Sequence, residues 1–333
     1  MAYTTLRDLY DSVLPECRDV YVVPLIRYKY KKSDYLYLLY RDMINSTMKP
    51  DIISTSAFNH IRFVIAALMK KKVILHYHWL EFQDFRAMCG MPYKLICIWL
   101  FQLFGGKLVW TIHNKQPHDR NFRRLNHIMR KRMAKKADAL HVHCETAIAI
   151  MSNHYGMGTE KFHVIPHPRF PSELMPRAAA IESLNQRYGV VIKSTDRIFL
   201  SFGQIVEYKQ LCVLVKMFND LPRSKKLLIA GPVKKGHLSY YRKLKKLIGK
   251  NNPNVIMLPN FISEDSVPEF FNAADFAIFN YRDILTSGGV ELARSFQKTV
   301  IAPDTGCLTE LNGLPEVIMF ETPDELANIL QQI

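Results

Sequence analysis

The chain has 333 residues, 48% hydrophobic and 23% charged, which excludes a disordered or collagen-like protein and leaves room for two domain-sized cores. Its net charge of +15 is uneven: residues 1–168 hold 25 Lys and Arg against 13 Asp and Glu, net +12, whereas residues 169–333 hold 20 against 17, net +3. An anionic partner is therefore expected for the first half, whether nucleic acid, phospholipid headgroups or a phosphorylated substrate.

The N-terminal stretch MAYTTLRDLYDSVLPEC has no apolar run of signal-peptide length, so secretion by that route is not expected. Thr4 to Leu14, with Leu6, Leu9, Tyr10 and Val13 at helical spacing, reads as a first helix. Strand candidates follow at Val20–Ile26, Asp51–Thr55, Val73–His78, Leu108–His113, Ala139–His143 and His163–Pro166. In the second half they are Ile198–Gly203, Leu227–Gly231, Val255–Pro259, Phe276–Asn280, Val300–Pro303 and Val317–Phe320. Apolar strands separated by helices predict parallel sheets covered on both faces, so the fold class is α/β with two doubly wound, Rossmann-like domains. Pro166–Thr195 holds four prolines and no strand pattern. The expected domains are accordingly 1–168, a linker at 169–195, and 196–333. Ligands of doubly wound domains sit at strand carboxyl ends, which predicts an interdomain cleft here.

Two apolar or basic stretches stand out in the first half. Leu95–Phe104 (LICIWLFQLF) is about half the length of a spanning helix and reads as a buried core helix. Arg120–Lys136 carries nine basic residues, counting His127, with Leu125, Ile128, Met129 and Met133 at helical spacing. It reads as a helix with an apolar stripe and a basic outer face, open to an anionic lipid or lipid diphosphate. Six cysteines without a CxxC pair exclude zinc-ribbon and thioredoxin readings and suit a reducing compartment, so the expected location is the cytoplasm. Ser266-Val-Pro-Glu269 and Thr322-Pro-Asp-Glu325 read as capping boxes.

Chemistry concentrates at the strand ends. After the strand ending at Asn280, a loop carries Asp283, and Thr286-Ser287-Gly288-Gly289 opens a helix with Glu291 in its first turn. Free amides and the positive dipole end there suit a diphosphate, and the glycines allow close approach to the backbone. Asp283 and Glu291 are separated by seven residues. This stretch, with TVIAPDTGCLTE after it, resembles the family 4-like (group 1) glycosyltransferases of bacterial polysaccharide biosynthesis, which have the GT-B fold. Their signature is an acid, seven residues and Glu in a strand, loop and helix. The resemblance implies that Asp283, an Asp where Glu is commoner, lies near the donor sugar and that Glu291 binds the nucleotide ribose.

Other segments resemble the same family in order. Phe199 to Lys209 looks like the strand and loop that carry Gly-Arg and then Lys to grip the donor diphosphate. Gly203 and Lys209 are in register, while Gln204 stands where Arg is usual and cannot reproduce its bidentate contact. The loop at Asn260, Phe261 and Ile262 resembles the one that meets the nucleobase. Val109-Trp-Thr-Ile-His113-Asn114 resembles the strand-end histidine that contacts the donor sugar, with His78, Asn114, His118 and Arg123 on the acceptor side. The family's first strand and glycine-rich turn find no match.

The resemblance implies a metal-independent, retaining hexosyltransferase that takes a UDP- or GDP-sugar as substrate and needs no cofactor. Its acceptor would be a saccharide or polyprenyl-diphosphate-linked saccharide, at the inner face of the cell membrane, with no nucleic-acid partner. Two readings from other classes compete. His76/His78 and His141/His143 are each spaced to share one strand face, which suits a metal-dependent hydrolase. The charge suits a nucleic-acid-binding protein, although no helix-turn-helix, RNP or zinc-finger signature is present.

Overall fold

A computed structural model describes residues 5–56, 58–81, 85–116, 122–249 and 252–333. The chain divides into two compact units, Met1–Pro168 and Arg169–Ile333. All twelve strands read from the sequence form within them, six in each unit.

In the first unit β1 (Asp19–Val23), β2 (Asp51–Ser54), β3 (Val73–Tyr77), β4 (Lys107–Thr111), β5 (Ala139–Val142) and β6 (Phe162–Val164) make one parallel sheet in the order β2-β1-β3-β4-β5-β6. Before them runs α1 (Leu6–Val13), and between them α2 (Tyr35–Ile44), α3 (Ile61–Leu68), α4 (Phe85–Cys89), α5 (Met91–Leu103), α6 (Arg123–Lys136) and α7 (Glu145–Tyr155). Thr5 and Asp8 form a reciprocal capping box that starts α1. Strand side chains alternate between the faces. Val20, Val22, Ile74 and Val109 meet α1 and α2 through Leu6, Leu9, Tyr10 and Tyr40. On the opposite face Tyr21 meets Phe63 of α3 (ring centroids 6.2 Å apart) and Trp110 meets Tyr155 of α7 (6.1 Å).

In the second unit α8 (Arg177–Tyr188) precedes β7 (Arg197–Phe202), β8 (Lys225–Ala230), β9 (Val255–Leu258), β10 (Phe276–Ile278), β11 (Thr299–Pro303) and β12 (Val317–Phe320). These pair in parallel in the order β12-β11-β10-β7-β8-β9. The remaining helices are α9 (Leu211–Asn219), α10 (Leu238–Ile248), α11 (Val267–Ala273), α12 (Gly288–Ser295) and α13 (Pro323–Gln332). One core faces α8, α11 and α12 around Leu184, Leu200, Phe270 and Val290. The other faces α9, α10 and α13 around Phe199, Phe218, Leu244 and Leu326.

Four local readings change. Within 169–195, expected as linker, α8 forms, and its Ala180, Ile181 and Leu184 are buried in the core of the second unit. Ser266 does not cap α11 with its side chain; its hydroxyl meets Ser263 at 2.9 Å and Arg187 at 2.8 Å, and Arg187 also pairs with Glu269. At α13 only half the box forms, because Thr322 accepts from the Glu325 amide while the Glu325 carboxylate reaches back to the Glu321 amide. The expected core helix at 95–104 buries Cys97, Ile98 and Phe101 but leaves Leu95, Ile96, Trp99 and Leu103 exposed.

The loops after β7 and β8 touch at two glycines. Gly231 has φ +139°, and a Cβ there would lie 2.4 Å from the Gly203 carbonyl oxygen. A side chain would have to push these strand ends apart while holding a backbone conformation that L-residues disfavour. Gly231→Ala should therefore cost about 1–3 kcal/mol in urea unfolding, with the far-UV circular dichroism of the native state preserved.

Candidate functional site

The second unit's order places β7 centrally, with the chain winding first toward β8 and β9 and later toward β11 and β12. The winding reverses between β7 and β10, and a doubly wound sheet opens its ligand crevice where the winding reverses. The loops after these two strands are in contact: the Arg282 amide donates to the Tyr208 carbonyl at 3.0 Å, and the rings of Tyr208 and Tyr281 lie 5.7 Å apart.

Gly203 ends β7 in the left-handed region, at φ +98°. Lys209 is buried beside it, and its ammonium donates to the Phe202 carbonyl at 2.7 Å. Burial pushes its pKa down from the ordinary lysine value to about 7. Gln204, by contrast, is exposed.

After β10, Asp283 is exposed and Thr286 is half-buried. Ser287 caps α12: its hydroxyl accepts from the Val290 amide at 3.2 Å and donates to the Tyr281 hydroxyl at 3.1 Å. A helix makes no internal bond with its first amides, here those of Gly288 and Gly289. The loop is held from behind by Gly306, whose Cβ would fall 2.2 Å from the Ile284 carbonyl oxygen, and by the Cys307 amide donating to Leu285 at 2.7 Å. Glu291, one turn into α12, is partly buried and pairs with Arg294 at 3.3 Å. Burial raises its pKa, and Arg294 partly offsets the rise. After β9, in the loop expected to meet the base, Phe261 is 66% exposed and Ile262 is buried.

The first unit is built differently. Its winding reverses between β1 and β3, and there Tyr35, which opens α2, approaches His78 and Trp79 after β3 (ring centroids 5.9 and 6.0 Å). One histidine stands just past the end of each of the strands β3 to β6: His78, His113, His143 and His167. Tyr35 lies within 6 Å of all four rings and bonds His143 Nε2 at 2.9 Å. Trp79 stacks on His113 at 4.4 Å.

Beneath this row a hydrogen-bonded chain runs through the sheet. His141 Nε2 lies 3.0 Å from the Ile165 carbonyl, which can only accept, so a neutral His141 carries its proton on Nε2. Its Nδ1 then accepts from Thr111 (2.9 Å), and Thr111 accepts from His76 Nε2 (2.7 Å). That leaves His76 Nδ1 as an acceptor with one lone pair, within reach of the hydroxyls of Tyr10 (2.5 Å) and Tyr40 (2.6 Å), one of which donates to it. Tyr40 also reaches His78 Nε2 at 2.8 Å, and His78 Nδ1 meets His113 Nε2 at 3.2 Å. The His113 tautomer is thus tied to Tyr10 and Tyr40 through His78. Burial, and next the mutual repulsion of the rings, push His76, His78, His113, His141 and His143 well below the ordinary histidine pKa.

Sequence reasoning missed Tyr10, Tyr35, Tyr40, Thr111 and Trp79, which lie on other elements from the histidines they orient. Their signal was weak, since tyrosines at helical spacing read as core. The HxH pairs do share a face, but both nitrogens of His76 and of His141 are occupied by hydroxyls and a carbonyl. Among the described residues no group of three or more His, Cys, Asp or Glu side chains is arranged to hold a metal ion. Asn114 is half-buried and its carbonyl accepts from Arg130. Arg123 is exposed and donates to Gln116. His118 lies outside the described residues. The outer basic face of α6 is smaller than expected, because Arg130 turns inward over the Trp110 ring (5.6 Å) and toward Glu81 (3.9 Å).

Comparison with known proteins decides the family. Residues 5–169 match the model of glycosyltransferase family 4, and residues 184–332 match that of the glycosyl transferases group 1. The chain is a glycosyltransferase of GT-B fold, related to these two families. No curated protein matches this glycosyltransferase significantly. Among solved structures it is similar to Anabaena HepE in complex with UDP (TM-score 0.67, 15% identity, covering 94% of this chain and 88% of that one). It is also similar to sucrose-phosphate synthase from Thermosynechococcus elongatus (TM-score 0.66, 15% identity, 95% and 89%) and to a glycosyltransferase from Rickettsia africae (0.62, 15%, 94% and 87%). At these identities the likeness establishes the fold.

The neutral histidine cluster makes the enzyme acid-sensitive. Below an unfolded pKa of about 6.5 each histidine binds a proton only in the unfolded chain, so stability is full above that pH and falls as pH drops toward the depressed folded values. Urea unfolding should show stability falling from pH 7.5 to pH 5.0, by at most about 1.4 kcal/mol per pH unit for each neutral histidine. A flat profile would contradict their burial as neutral rings.

Proposed function

We propose that this glycosyltransferase moves a hexose from a UDP- or GDP-sugar to a saccharide or a polyprenyl-diphosphate-linked saccharide. The observation that supports the donor assignment is the contact between the β7 and β10 loops at the reversal of winding, the first carrying Gly203 and Lys209 and the second leading into the Ser287-capped α12. HepE, with the same fold, has been solved with UDP and with UDP-glucose, which favours a uridine donor.

In this reading the diphosphate lies on the Gly288 and Gly289 amides, with Lys209 as its cation. Glu291 exchanges Arg294 for the ribose hydroxyls, and Phe261 and Ile262 meet the base. Scission of the sugar–phosphate bond leaves negative charge on the diphosphate, which the α12 amides and a protonated Lys209 stabilise. These groups supply the electrostatic role without a resident metal, hence the reading as a metal-independent enzyme. Asp283 and His113 serve the reacting sugar, and the acid-seven-Glu spacing favours retention. His78, Asn114, His118 and Arg123 are read as acceptor-side groups. No described helix is long and apolar enough to cross a membrane, and the +12 half favours attachment at an anionic membrane surface.

Titration calorimetry with UDP-glucose and GDP-mannose tests the donor site. Glu291→Ala should weaken binding by roughly 1.5–3 kcal/mol through loss of a charged acceptor. Because Lys209 has a depressed pKa of about 7, binding above that pH must also take up a proton. Affinity should therefore fall with rising pH, by up to about tenfold per unit, and Lys209→Met should remove that dependence. An unchanged dissociation constant in Glu291→Ala, or a pH dependence that survives Lys209→Met, would overturn these roles.

A further inference from the structure

The outer layer of a Rossmann-like domain ordinarily presents polar helix faces to water. In the first unit three helices on one side of the sheet do not. Leu95 and Trp99 of α5 are 41% and 50% exposed, Leu125 and Ile128 of α6 are 47% and 48% exposed, and on α3, which packs against α5, Ile65 and Leu68 are 48% and 57% exposed. Patches of this kind mark interaction surfaces. Between α5 and α6 the patch deepens into a groove of about 380 Å³, lined by Leu95, Trp99, Leu125 and Ile128 and closed by Arg132 and Lys136.

The groove has a polarity along its length. From Leu125 to Lys136, α6 rises about 16 Å, and the side chains it gives to the groove are apolar at Leu125, Ile128 and Met129 and cationic at Arg132 and Lys136. Arg132 and Lys136 are four residues apart and so neighbours on one helix face. No acidic side chain lines the groove among the described residues. The negative end of the α6 dipole is also covered: Gln102 donates to the Lys136 carbonyl at 2.9 Å, and Lys161 to the Lys135 and Ala137 carbonyls at 2.9 and 2.8 Å. A phosphate there meets two cations and no competing carbonyl end.

We propose that the α5/α6 groove binds a lipid of an anionic bilayer, with one hydrocarbon chain along Leu95, Trp99, Leu125 and Ile128 and the phosphate between Arg132 and Lys136. Charge complementarity selects this occupant over an uncharged apolar ligand, and the exposed residues of α3 and α5 extend the same contact onto neighbouring lipids. The inference deepens the membrane-attachment reading above by replacing diffuse attraction with a chain-binding site, and it rests on that reading.

Trp99 is one of three tryptophans, with Trp79 and Trp110, and reports on the groove directly. Its emission is measured with the full chain on vesicles of phosphatidylglycerol brominated on the acyl chains, alongside flotation on the same vesicles. The expected result is quenching that disappears in Trp99→Phe. The double variant Arg132→Glu/Lys136→Glu should bind these vesicles at least roughly tenfold more weakly while its affinity for UDP-glucose is unchanged. Flotation without Trp99 quenching would overturn the groove but leave membrane attachment standing. Equal quenching on phosphatidylcholine, whose phosphate is offset by its own choline cation, would overturn the selection of an anionic lipid. Absence of flotation, or a groove occupied by a second copy as seen by sedimentation, would overturn the inference while donor binding remains a separate test of the enzyme.

Discussion

Strand β7 is hydrogen-bonded to β8 on one side and β10 on the other, and the chemistry of the second unit follows from that arrangement. Every parallel crossover must return over a face of the sheet. A chain that winds outward both ways from its first strand therefore leaves two adjacent strands whose connections depart to opposite faces of the sheet. In this enzyme those loops carry Gly203 and Lys209 on one side and Asp283 to Glu291 on the other. Their separation along the chain is about 80 residues, and the strand order brings them into contact at the Arg282–Tyr208 hydrogen bond.

Two kinds of polar burial distinguish the units. Among the described residues of the second unit a single ammonium, that of Lys209, is buried at a strand end, held by a backbone carbonyl, with its pKa lowered to about 7. Such a lysine sits near its ionisation point, so an arriving diphosphate both gains a cation and sets its protonation. Beneath the strand ends of the first unit the buried cluster is one of neutral rings and hydroxyls, joined so that fixing one proton at the Ile165 carbonyl fixes the tautomers of His141 and His76 in turn. A half-satisfied network would be costly in such a site, whereas a connected one holds the ring directions firmly.

Much of this was legible beforehand because it depends on local pattern. The twelve strands show as short apolar runs, and the cap at Ser287 shows as a small hydroxyl residue before two glycines. The α12 carboxylate and Lys209 were found through family resemblance, since one Glu or Lys alone reads as solvated surface. What escaped depends on tertiary packing. Tyr35 and Tyr40 are ordinary helix residues until β3 and β5 bring histidines to their hydroxyls. Arg130 reads as one more surface cation in a basic run, yet it is buried over Trp110. The α5 segment reads as core because nothing in its own sequence shows that α6 leaves its outer stripe open.

The claim on which the account turns is that the donor lies across the loops after β7 and β10. Amide hydrogen exchange of the full chain, with and without saturating UDP- or GDP-sugar, tests it most directly. The account predicts protection at residues 203–209 and 283–291, with weaker protection at 260–262. Protection confined to other segments while the nucleotide-sugar is demonstrably bound would contradict it.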